Sequence, residues 1–343
     1  MTRFRNTREA IQRVRRVRPD RAWATPTVAD LRRDLRPSPL AIDTQSVTRL
    51  LYERLTEEDV AEVIRAAAAR PELAQLPSAE ADLDTRRWLV LSYGLWLRLP
   101  SVIERTRLPA DQPPAEIHAM ARGPLAAAGG LYEADMVVNA MRSCGADVTD
   151  AGRGLDFGCS SGRVVRVMAA AYPELPWRAC DPNEPAIEWA GEHLPEIDFF
   201  VNPQQPPLPI AEGELGLVYA ISIWSHFAPD LGLRWFDEVH RVIRPGGHLI
   251  FTTHGMQSIA YHAEKGRHPE QCREIIDAVY RSGCWYAAEF GQLGDAGVVN
   301  PEWGTAFISA EWLLAKLCPR WRVLEFAPGR NQLNQDLYVL QRV

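Results

Sequence analysis

One stretch of the chain, from Gly154 to Arg166, constrains the fold more than any other part. It reads Gly-Leu-Asp-Phe-Gly-Cys-Ser-Ser-Gly-Arg-Val-Val-Arg, which predicts a short buried strand, a glycine turn and the first turn of a helix. Gly158 and Gly162 bring no side chain to the turn, so a ligand can lie against the backbone. The helix adds unpaired N–H groups and a partial positive charge. The pattern therefore predicts a cradle for a cofactor.

The composition is typical of a globular protein. The chain has 343 residues, of which 46% are hydrophobic and 24% are charged. No run approaches the roughly 18 apolar residues of a membrane span, and the N-terminus has no apolar segment of the signal-peptide type. The six cysteines form neither a CxxC pair nor a Cys/His spacing typical of a metal site. We therefore expect a cytoplasmic protein with reduced thiols, no membrane span and no metal.

Charge is distributed unevenly along the chain. The formal net charge is −6, yet residues 1–36 carry eleven arginines against four acidic residues. This basic arm either docks on nucleic acid or another anionic surface, or forms a polar helix whose arginines face solvent. The second interpretation is the commoner one for a charge run, so nucleic acid is not the expected partner.

Residues 1–128 are predicted to form a helical N-terminal region, made of the arm and a cap. Helices are predicted over 7–18, 46–55, 56–70 and 84–99. Thr56 with Asp59 resembles a capping box. A further helical stretch is predicted from 115, and Gly129-Gly130 is expected to break it before a helix that ends near 141.

Residues 129–343 are predicted to form an α/β domain, because strands and helices alternate as in a parallel sheet covered on both faces. Strands are predicted over 153–158, 177–180, 198–201, 215–221 and 248–253. Helices are predicted over 162–172, 184–193, 229–243 and 309–317. An insertion spans 256–304. Two last strands, 322–326 and 337–340, are predicted to pair antiparallel through a turn at Pro328-Gly329.

The glycine spacing separates two kinds of cofactor. A dinucleotide fingerprint needs glycine at positions one, three and six of its loop; counting from Gly158, the third is Ser160 and the sixth is Arg163. A GxGxG spacing that ends at Gly162 fits better, with a serine at its centre. Serine is tolerable there if the backbone does not need a positive φ, because serine is small.

Five features then follow one another in order along the chain. They are Leu155-Asp156-Phe157-Gly158-Cys159 with Gly162, Asp181 after the second strand, Asn202 after the third, Val218-Tyr219-Ala220-Ile221-Ser222 in the fourth, and Arg244-Pro245-Gly246-Gly247 before the fifth. In this order they resemble the class I S-adenosylmethionine-dependent methyltransferases, over roughly residues 130–343. The resemblance implies a Rossmann-like seven-stranded, mostly parallel sheet with a terminal antiparallel strand, and S-adenosylmethionine as the cofactor.

The resemblance also implies which residues bind the cofactor. The methionine part would lie on the glycine turn, which comprises Asp156, Gly158, Cys159, Ser160 and Gly162. Asp181, followed by Pro182, would accept both ribose hydroxyls, because a carboxylate offers two acceptor oxygens. Asn202 would meet the adenine edge, and Ile221 would contact the cofactor from the end of the fourth strand.

Other interpretations of these residues stay open. Asp156 either contacts the ligand or holds the turn together, and Cys159 is expected to matter through its backbone. The chain departs from the family pattern at Ser160 and at Gly216, where an aspartate commonly opens the fourth strand.

Two histidines are the candidate catalytic residues. His226 follows the fourth strand and His254 follows the fifth, and in an open α/β sheet the reaction takes place beyond these carboxyl ends. Histidine suits base catalysis because its ordinary pKa is about 6.5. Each could instead be a hydrogen-bonding residue that orients a loop. Asp336, at the start of the last strand, either orients a partner at this edge or pins the final hairpin.

The acceptor is predicted from a missing motif and from the aromatic residues around the site. Methylation of adenine or glutamine amino groups in this superfamily goes with an Asn/Asp-Pro-Pro-aromatic run after the fourth strand, where this chain has Ser222-Ile223-Trp224-Ser225. Aromatic residues of the cap and the insertion either stack on the acceptor or form ordinary core. The fourth and fifth strands resemble those of bacterial methyltransferases that modify sugars, glycans or other secondary metabolites, and this resemblance implies O-methylation of a small molecule, sugar or glycan. The alternatives are a nucleic-acid or protein methyltransferase that docks through the basic arm, and a cofactor-binding module without catalysis.

Overall fold

The computed structural model describes residues 25–34, 45–73, 82–117, 122–289 and 299–343. The helices are α1 (Val28–Asp34), α2 (Ser46–Tyr52), α3 (Glu57–Ala68), α4 (Leu83–Trp96), α5 (Pro100–Thr106), α6 (Ala126–Ser143), α7 (Val165–Ala171), α8 (Glu184–His193), α9 (Pro229–Val242), α10 (Met256–Glu264), α11 (Pro269–Ser282) and α12 (Ala310–Leu317). The strands are β1 (Gly154–Phe157), β2 (Trp177–Asp181), β3 (Asp198–Val201), β4 (Leu215–Ala220), β5 (Ile243–Thr253), β6 (Cys284–Ala287), β7 (Thr305–Ile308), β8 (Trp321–Asn331) and β9 (Gln335–Arg342). The predicted helix at 7–18 and most of the basic arm lie outside the described residues. Within the described part of the chain, no helix combines the length and the apolarity needed to cross a bilayer.

Seven strands form one sheet in the order β3-β2-β1-β4-β5-β9-β8. β2 pairs in parallel with β1 and β3, and β4 pairs in parallel with β5. β9 runs antiparallel to both β5 and β8. The predicted Rossmann-like seven-stranded, mostly parallel sheet with antiparallel pairing at its end is confirmed. Ligands of such sheets bind outside the carboxyl ends of the parallel strands, so the residues that follow these strands are the candidates for function.

The chain divides into two compact units. The β4–β9 unit comprises Met1–Ile42, Ser143–Ala146 and Pro203–Val343, and the β1–β3 unit comprises Asp43–Arg142 and Asp147–Asn202. Helix α6 crosses the boundary predicted between 128 and 129. That residues 1–128 form a separate helical cap stays a prediction.

Helix α6 runs through Gly129 and Gly130, so the predicted break at this pair is wrong. Glycine is needed here because another segment packs closely against the helix, and not because the chain turns. A Cβ on Gly130 would lie 2.6 Å from the backbone oxygen of Arg163, at the start of the segment that leads into α7. The missing side chain lets the helix pack against this backbone, and the glycine remains helical.

Two further differences concern the helices that precede α6. The helix predicted over 84–99 ends at Trp96, and Arg98 has a φ of 53°, which a helix cannot continue through. A new helix, α5, begins at Pro100, a residue that suits the first helical position because its missing N–H is not needed there. Of the helical stretch predicted from 115, residues 115–117 form a turn, and helix α6 begins at Ala126.

The insertion predicted over 256–304 contains helices α10 and α11 and strand β6, which pairs antiparallel with β7 directly after the insertion. Apolar residues of α10 and α11 pack with Phe307 of β7 into a small core. Helix α1 adds Leu31 to the same core. This core fixes β7, which matters below because the residues of β7 hold the candidate histidines.

The turn of the final hairpin was predicted at Pro328-Gly329, and this prediction is wrong. The chain reverses at Gln332 and Leu333. Both residues have left-handed backbones, with φ of 54° and 60°. Strand β8 continues past Gly329 to Asn331 with a register irregularity after Ala327. The proline and glycine therefore occupy this irregularity and do not form the turn.

Asp336 holds this hairpin from β9. Its Oδ1 accepts the backbone N–H of Gly329 at 2.7 Å, and its other oxygen packs against Gly255, where any side chain would collide with it. The side chain is buried, and burial raises the pKa of Asp336 to about 7. Its hydrogen bond corresponds to the second predicted role, that of a pin; a role in orienting a partner stays a prediction.

We expect Gly130→Ala to destabilise the protein and Gly129→Ala to be neutral or stabilising. A Cβ at 130 would press on the Arg163 backbone, and overpacking costs about 1–3 kcal/mol. A Cβ at 129 would meet only the end of the Arg163 side chain, at 3.1 Å, and alanine has the better helix propensity by about 1 kcal/mol. Thermal melts of both variants test this, and equal Tm values would contradict the close approach.

We expect Asp336 to make stability depend on pH. Its carboxyl titrates at about 7 in the folded chain and at about 4 when unfolded, so the folded state binds one more proton between these values. Its contribution to the free energy of unfolding therefore falls by up to about 1.4 kcal/mol per pH unit as the pH rises through this window.

Asp336→Asn keeps the acceptor for Gly329 and removes the titration. The Tm of this variant relative to wild type should therefore rise between about pH 5 and about pH 8. A difference that stays constant over this range would show that the folded carboxyl of Asp336 titrates at its ordinary pH.

Candidate functional site

The glycine turn after β1 is fixed to the end of β2. Gly158 and Gly162 have positive φ, at 84° and 78°. The N–H groups of Gly158 and Cys159 both donate to the carbonyl of Cys180, at 2.9 and 3.0 Å. A Cβ on Gly162 would lie 2.9 Å from Leu194, so there is also no room for a side chain. The backbone of the turn therefore requires both glycines.

Ser160, at the centre of the turn, has a φ of 50°. The condition under which serine is easily tolerated here, a backbone without a positive φ, is therefore not met. The left-handed conformation costs a serine roughly 1–2 kcal/mol. The N–H of Ser160 donates to Oδ2 of Asp181 at 2.8 Å, and this charge-assisted hydrogen bond offsets the cost.

The carboxylate of Asp181 is oriented by two backbone N–H groups at the end of β2. Oδ2 accepts from Ser160, and Oδ1 accepts from Asn183 at 2.9 Å. Asn183 also caps α8 by accepting the N–H of Ala186, and the half-buried Pro182 lies between Asp181 and this cap. Each carboxylate oxygen has two lone pairs, so an acid held in this way can accept the hydroxyls of a ribose.

Three other predicted cofactor residues are almost fully buried: Asp156 on β1, Cys159 in the turn and Asn202 after β3. Burial, with the charges of Asp156 and Asp181, raises the pKa of the Cys159 thiol well above its ordinary value, so the thiol stays protonated and unreactive. The N–H of Asn202 donates to the carbonyl of Asp181 at 3.3 Å, which places the two residues together. Contacts of Asp156 and Asn202 with a cofactor stay predictions.

Arg166 supports the turn from helix α7, a role that the sequence patterns did not reveal. Its guanidinium donates to the carbonyls of Ser161 and Asp111 at 3.2 and 2.6 Å, and its Nε donates to the carbonyl of Gly162 at 3.2 Å. Burial lowers the pKa of Arg166 to about 10, which still leaves it charged at neutral pH. The sequence feature that could have indicated this role is the spacing, because Arg166 lies four residues after Gly162 near the start of a helix.

The β1–β3 unit fits the cofactor that the resemblance implies. A turn lined by backbone suits the methionine part, and an oriented carboxylate at the end of β2 suits the ribose. This unit contains every predicted cofactor residue except Ile221: Asp156, Gly158, Cys159, Ser160, Gly162, Asp181, Pro182 and Asn202. Ile221 lies in the β4–β9 unit, where it follows β4 and is half-buried.

The β4–β9 unit brings the two candidate histidines together, with ring centres 6.3 Å apart. Nδ1 of His226 hydrogen-bonds to the carbonyl of Gly304 at 2.8 Å, and Nδ1 of His254 to that of Ala306 at 3.2 Å. A carbonyl can only accept, so a neutral ring in either position carries its proton on Nδ1 and presents Nε2 as the acceptor nitrogen. Both rings are therefore oriented in the same way by alternate residues of one segment.

The backbone of the same segment holds the loops that carry the histidines. The N–H groups of Gly304 and Ile308 donate to the carbonyls of His226 and His254, at 2.8 and 2.9 Å. The N–H of Ala306 donates to the carbonyl of Ser225 at 2.8 Å. No sequence pattern links these positions, because β7 reaches the loops only through the tertiary fold.

His254 is 5% exposed and stacks on Phe307, with ring centres 5.0 Å apart. Burial lowers the pKa of His254 well below its ordinary value, and the neighbouring His262 and His226 add to the effect. Burial, with the charge of Arg267, lowers the pKa of His262 to about 4. His254 and His262 are therefore neutral at physiological pH, and His254 is a weak base.

His226 is more exposed than His254 and belongs to a different set of contacts. Its ring stacks on Trp303 at 4.8 Å, and Trp303 also forms a short antiparallel bridge with Phe227. Of the two histidines, His226 is the one that an external molecule can reach. Trp303 is one of the aromatic residues of the insertion, and its contact with His226 orients the ring.

Comparison with known proteins finds similar sequences and structures. A model described as a methyltransferase domain matches residues 155–247. The chain is 30% identical over 121 residues to a malonyl-[acyl-carrier protein] O-methyltransferase of Hahella chejuensis, covering 33% of this chain and 43% of that protein. It is 27% identical over 117 residues to the enzyme of the same name from Methylococcus capsulatus, covering 32% and 39%. The chain thus spans less than half the length of these relatives.

Among solved structures, a SAM-dependent methyltransferase from Methanosarcina mazei is similar over 56% of this chain and 92% of its own, at 18% identity and a TM-score of 0.40. Residues 155–247 extend from β1 into β5 and include the glycine turn and Asp181. Over residues 155–247 the chain is similar to this methyltransferase-domain family, and its sheet has the Rossmann-like strand order that the resemblance implies.

Proposed function

We propose that this methyltransferase modifies an oxygen atom of a small molecule, sugar or glycan. The observation that carries the proposal is the pair of histidines after β4 and β5, each with Nδ1 tied to a backbone carbonyl and Nε2 as its acceptor nitrogen. A hydroxyl acceptor must lose a proton when it is methylated, and a positioned histidine can take it.

The residues of the β1–β3 unit are those that would hold S-adenosylmethionine. The glycine turn would take the methionine part against its backbone, and the carboxylate of Asp181 would accept the ribose hydroxyls. When bound, this cofactor supplies an electrophilic methyl group on a sulfonium. The contribution of the chain to such a displacement is to hold its groups in place and to keep water out.

His226 is the better proton acceptor of the two histidines. It is half-buried and stacked on Trp303, so an acceptor can reach it and find it oriented. His254 is buried and uncharged at neutral pH, which suits a supporting role beside the site. The difference in exposure therefore favours His226 over His254 as the base.

The relatives named above methylate an oxygen of a malonyl group on a carrier protein, according to their names. They match only a third of this chain, so a carboxyl oxygen is one candidate acceptor beside a hydroxyl. The two differ in the need for a base, because a carboxylate has no proton to lose at neutral pH. A pH–rate profile that falls at low pH in wild type and flattens in a His226 variant would favour the hydroxyl.

The atom that is methylated can be identified with S-adenosylmethionine labelled with ¹³C in its methyl group. The protein is incubated with a panel of a methyl glycoside, a catechol and malonyl-coenzyme A, and separately with a bacterial small-molecule extract. We expect a ¹³C signal with the chemical shift of a methoxy group or a methyl ester. Label on nitrogen or carbon, or in the protein or nucleic-acid fraction, would contradict the proposal; failure to bind the cofactor would leave only the non-catalytic module.

We expect Asp181→Ala to weaken binding of S-adenosylmethionine and S-adenosylhomocysteine by about 100-fold or more. The change removes the ribose acceptor and the partner of the Ser160 N–H, and each charge-assisted hydrogen bond contributes roughly 1.5–3 kcal/mol. Calorimetry with both ligands measures the effect. The matched control is Asp198→Ala, at an aspartate of the same unit that is 63% exposed, where affinity should be unchanged. Equal affinities for the two variants would place the ribose elsewhere.

We expect His226→Asn to lower kcat by about 100-fold, within the range typical of a lost general base, and to leave cofactor affinity unchanged. His254→Asn should lower kcat much less, because the buried ring does not take the proton. His240→Asn, at a histidine that packs edge-on against Trp321, is the control and should behave as wild type. Full turnover by His226→Asn, measured as S-adenosylhomocysteine formed with the best panel acceptor, would remove His226 from the base role.

A further inference from the structure

Ser222, which follows Ile221 after β4, is held in a left-handed backbone conformation with a φ of 64°. Serine rarely adopts this conformation, because its Cβ crowds the following carbonyl. Residues other than glycine stay there only where surrounding contacts hold them, and they concentrate at functional sites. The contacts of Ser222 therefore indicate what the conformation serves.

Two side chains hold Ser222. Its N–H donates to Oγ1 of Thr252 on β5 at 2.8 Å, and its Oγ accepts from Nε2 of Gln335 on β9 at 2.6 Å. Oγ1 of Thr252 donates in turn to Oε1 of Gln335 at 2.7 Å. The three residues form a closed circuit of hydrogen bonds, from the serine backbone through the threonine and the glutamine back to the serine side chain.

Gln335 is the centre of this network and is only 3% exposed. Besides Ser222 and Thr252, it donates to Oγ of Ser225 at 3.3 Å and accepts from Nδ2 of Asn331 at 3.1 Å. Both amide protons and both lone pairs of its oxygen are therefore used. Because Thr252 accepts from the backbone of Ser222, its own proton goes to Gln335. The amide oxygen of Gln335 must therefore face Thr252, and its Nε2 faces Ser222.

The network supports the segment that carries His226. Ser222 and Ser225 lie at either end of the short stretch before His226, and both hydroxyls receive a hydrogen bond from Gln335. Ala306 fixes the backbone of Ser225 separately. The segment is thus held through its side chains by Gln335 and through its main chain by β7.

We propose that Gln335 is a positioning residue, which holds Ser222 in its left-handed conformation and thereby sets the place of His226. The inference rests on the proposed function for the role of His226. A neutral amide suits the task because it donates twice and accepts twice, so it can satisfy four partners without burying a charge.

A pair of substitutions separates this role from simple filling of the core. Gln335→Leu removes all four hydrogen bonds at similar volume. Ser222→Gly removes the conformational penalty, because glycine adopts a positive φ freely. If Gln335 acts by holding Ser222, the glycine restores the conformation in the double variant Gln335→Leu/Ser222→Gly. If Gln335 only fills polar space, the glycine restores nothing. Gln341→Leu on the same strand, at a side chain that donates to the carbonyl of Gly246, is the matched control.

The position of His226 can be followed without any acceptor, by NMR of the full chain labelled with ¹⁵N in its histidine rings. We expect the Nδ1 resonance of His226 to shift or broaden in Gln335→Leu and to return to its wild-type position in the double variant. His193 of the β1–β3 unit serves as the internal reference and should not move.

Turnover of the same variants is measured with the panel acceptor that wild type uses fastest. We expect kcat to fall about tenfold in Gln335→Leu, the factor that corresponds to the left-handed penalty, with KM for S-adenosylmethionine unchanged. In the double variant kcat should recover to within about threefold of wild type, and Gln341→Leu should match wild type.

An unmoved His226 resonance in Gln335→Leu, or a double variant as impaired as the single one, would overturn the inference. Should Gln335→Leu fail to fold, Gln335→Met, which also lacks the amide, takes its place with the same rescue. A failure of the proposed function has a different signature. His226→Asn would then keep full turnover, while the His226 resonance would still respond to Gln335.

Discussion

The hydrogen bonds of the Asp181 carboxylate are the contacts on which the rest of the candidate cofactor site depends. One oxygen takes the N–H of Ser160 and the other takes that of Asn183. The first bond stabilises a serine in a conformation that favours glycine, and the second joins the carboxylate to the cap of α8. The same group that is suited to a ribose therefore also shapes the turn that is suited to the methionine part. A change at this position affects both.

The β4–β9 unit also holds a serine in a left-handed conformation, and it does so with neutral side chains. Another left-handed serine, Ser222, is held by a threonine and a glutamine instead of a carboxylate. The candidate histidines are tied by Nδ1 to Gly304 and Ala306, whose segment the core of the insertion keeps in place. Burial then lowers the pKa of His254, so its ring remains uncharged at neutral pH.

Local patterns predicted much of the sheet and its helices. The structure gives helix Glu184–His193 and strand Asp198–Val201 the bounds read from the sequence, because a cap, a proline and short apolar runs mark their ends. The predictions failed where a distant contact overrides the local preference. Gly130 stays helical because Arg163 lies against it, and Ser160 is left-handed because Asp181 accepts its N–H.

The residues of the candidate site that belong to local motifs could be predicted from the sequence, and those that depend on distant contacts could not. Asp181 and the two glycines of the turn follow from motif spacing, and His226 and His254 follow from their places after strands. Gln335 lies 113 residues from Ser222 along the chain, and no periodicity connects them. Only the pairing of β9 with β5 brings this glutamine to the end of β4, so its role needed the fold.

The central claim is that Asp181 and the glycine turn form the donor site of a methyltransferase. A crystal structure of the protein with S-adenosylhomocysteine tests it most directly. The account predicts both ribose hydroxyls within hydrogen-bond distance of the Asp181 carboxylate, with the amino-acid part of the ligand over the turn between Gly158 and Gly162. A ligand bound elsewhere, with the carboxylate still held only by the backbone, would contradict it.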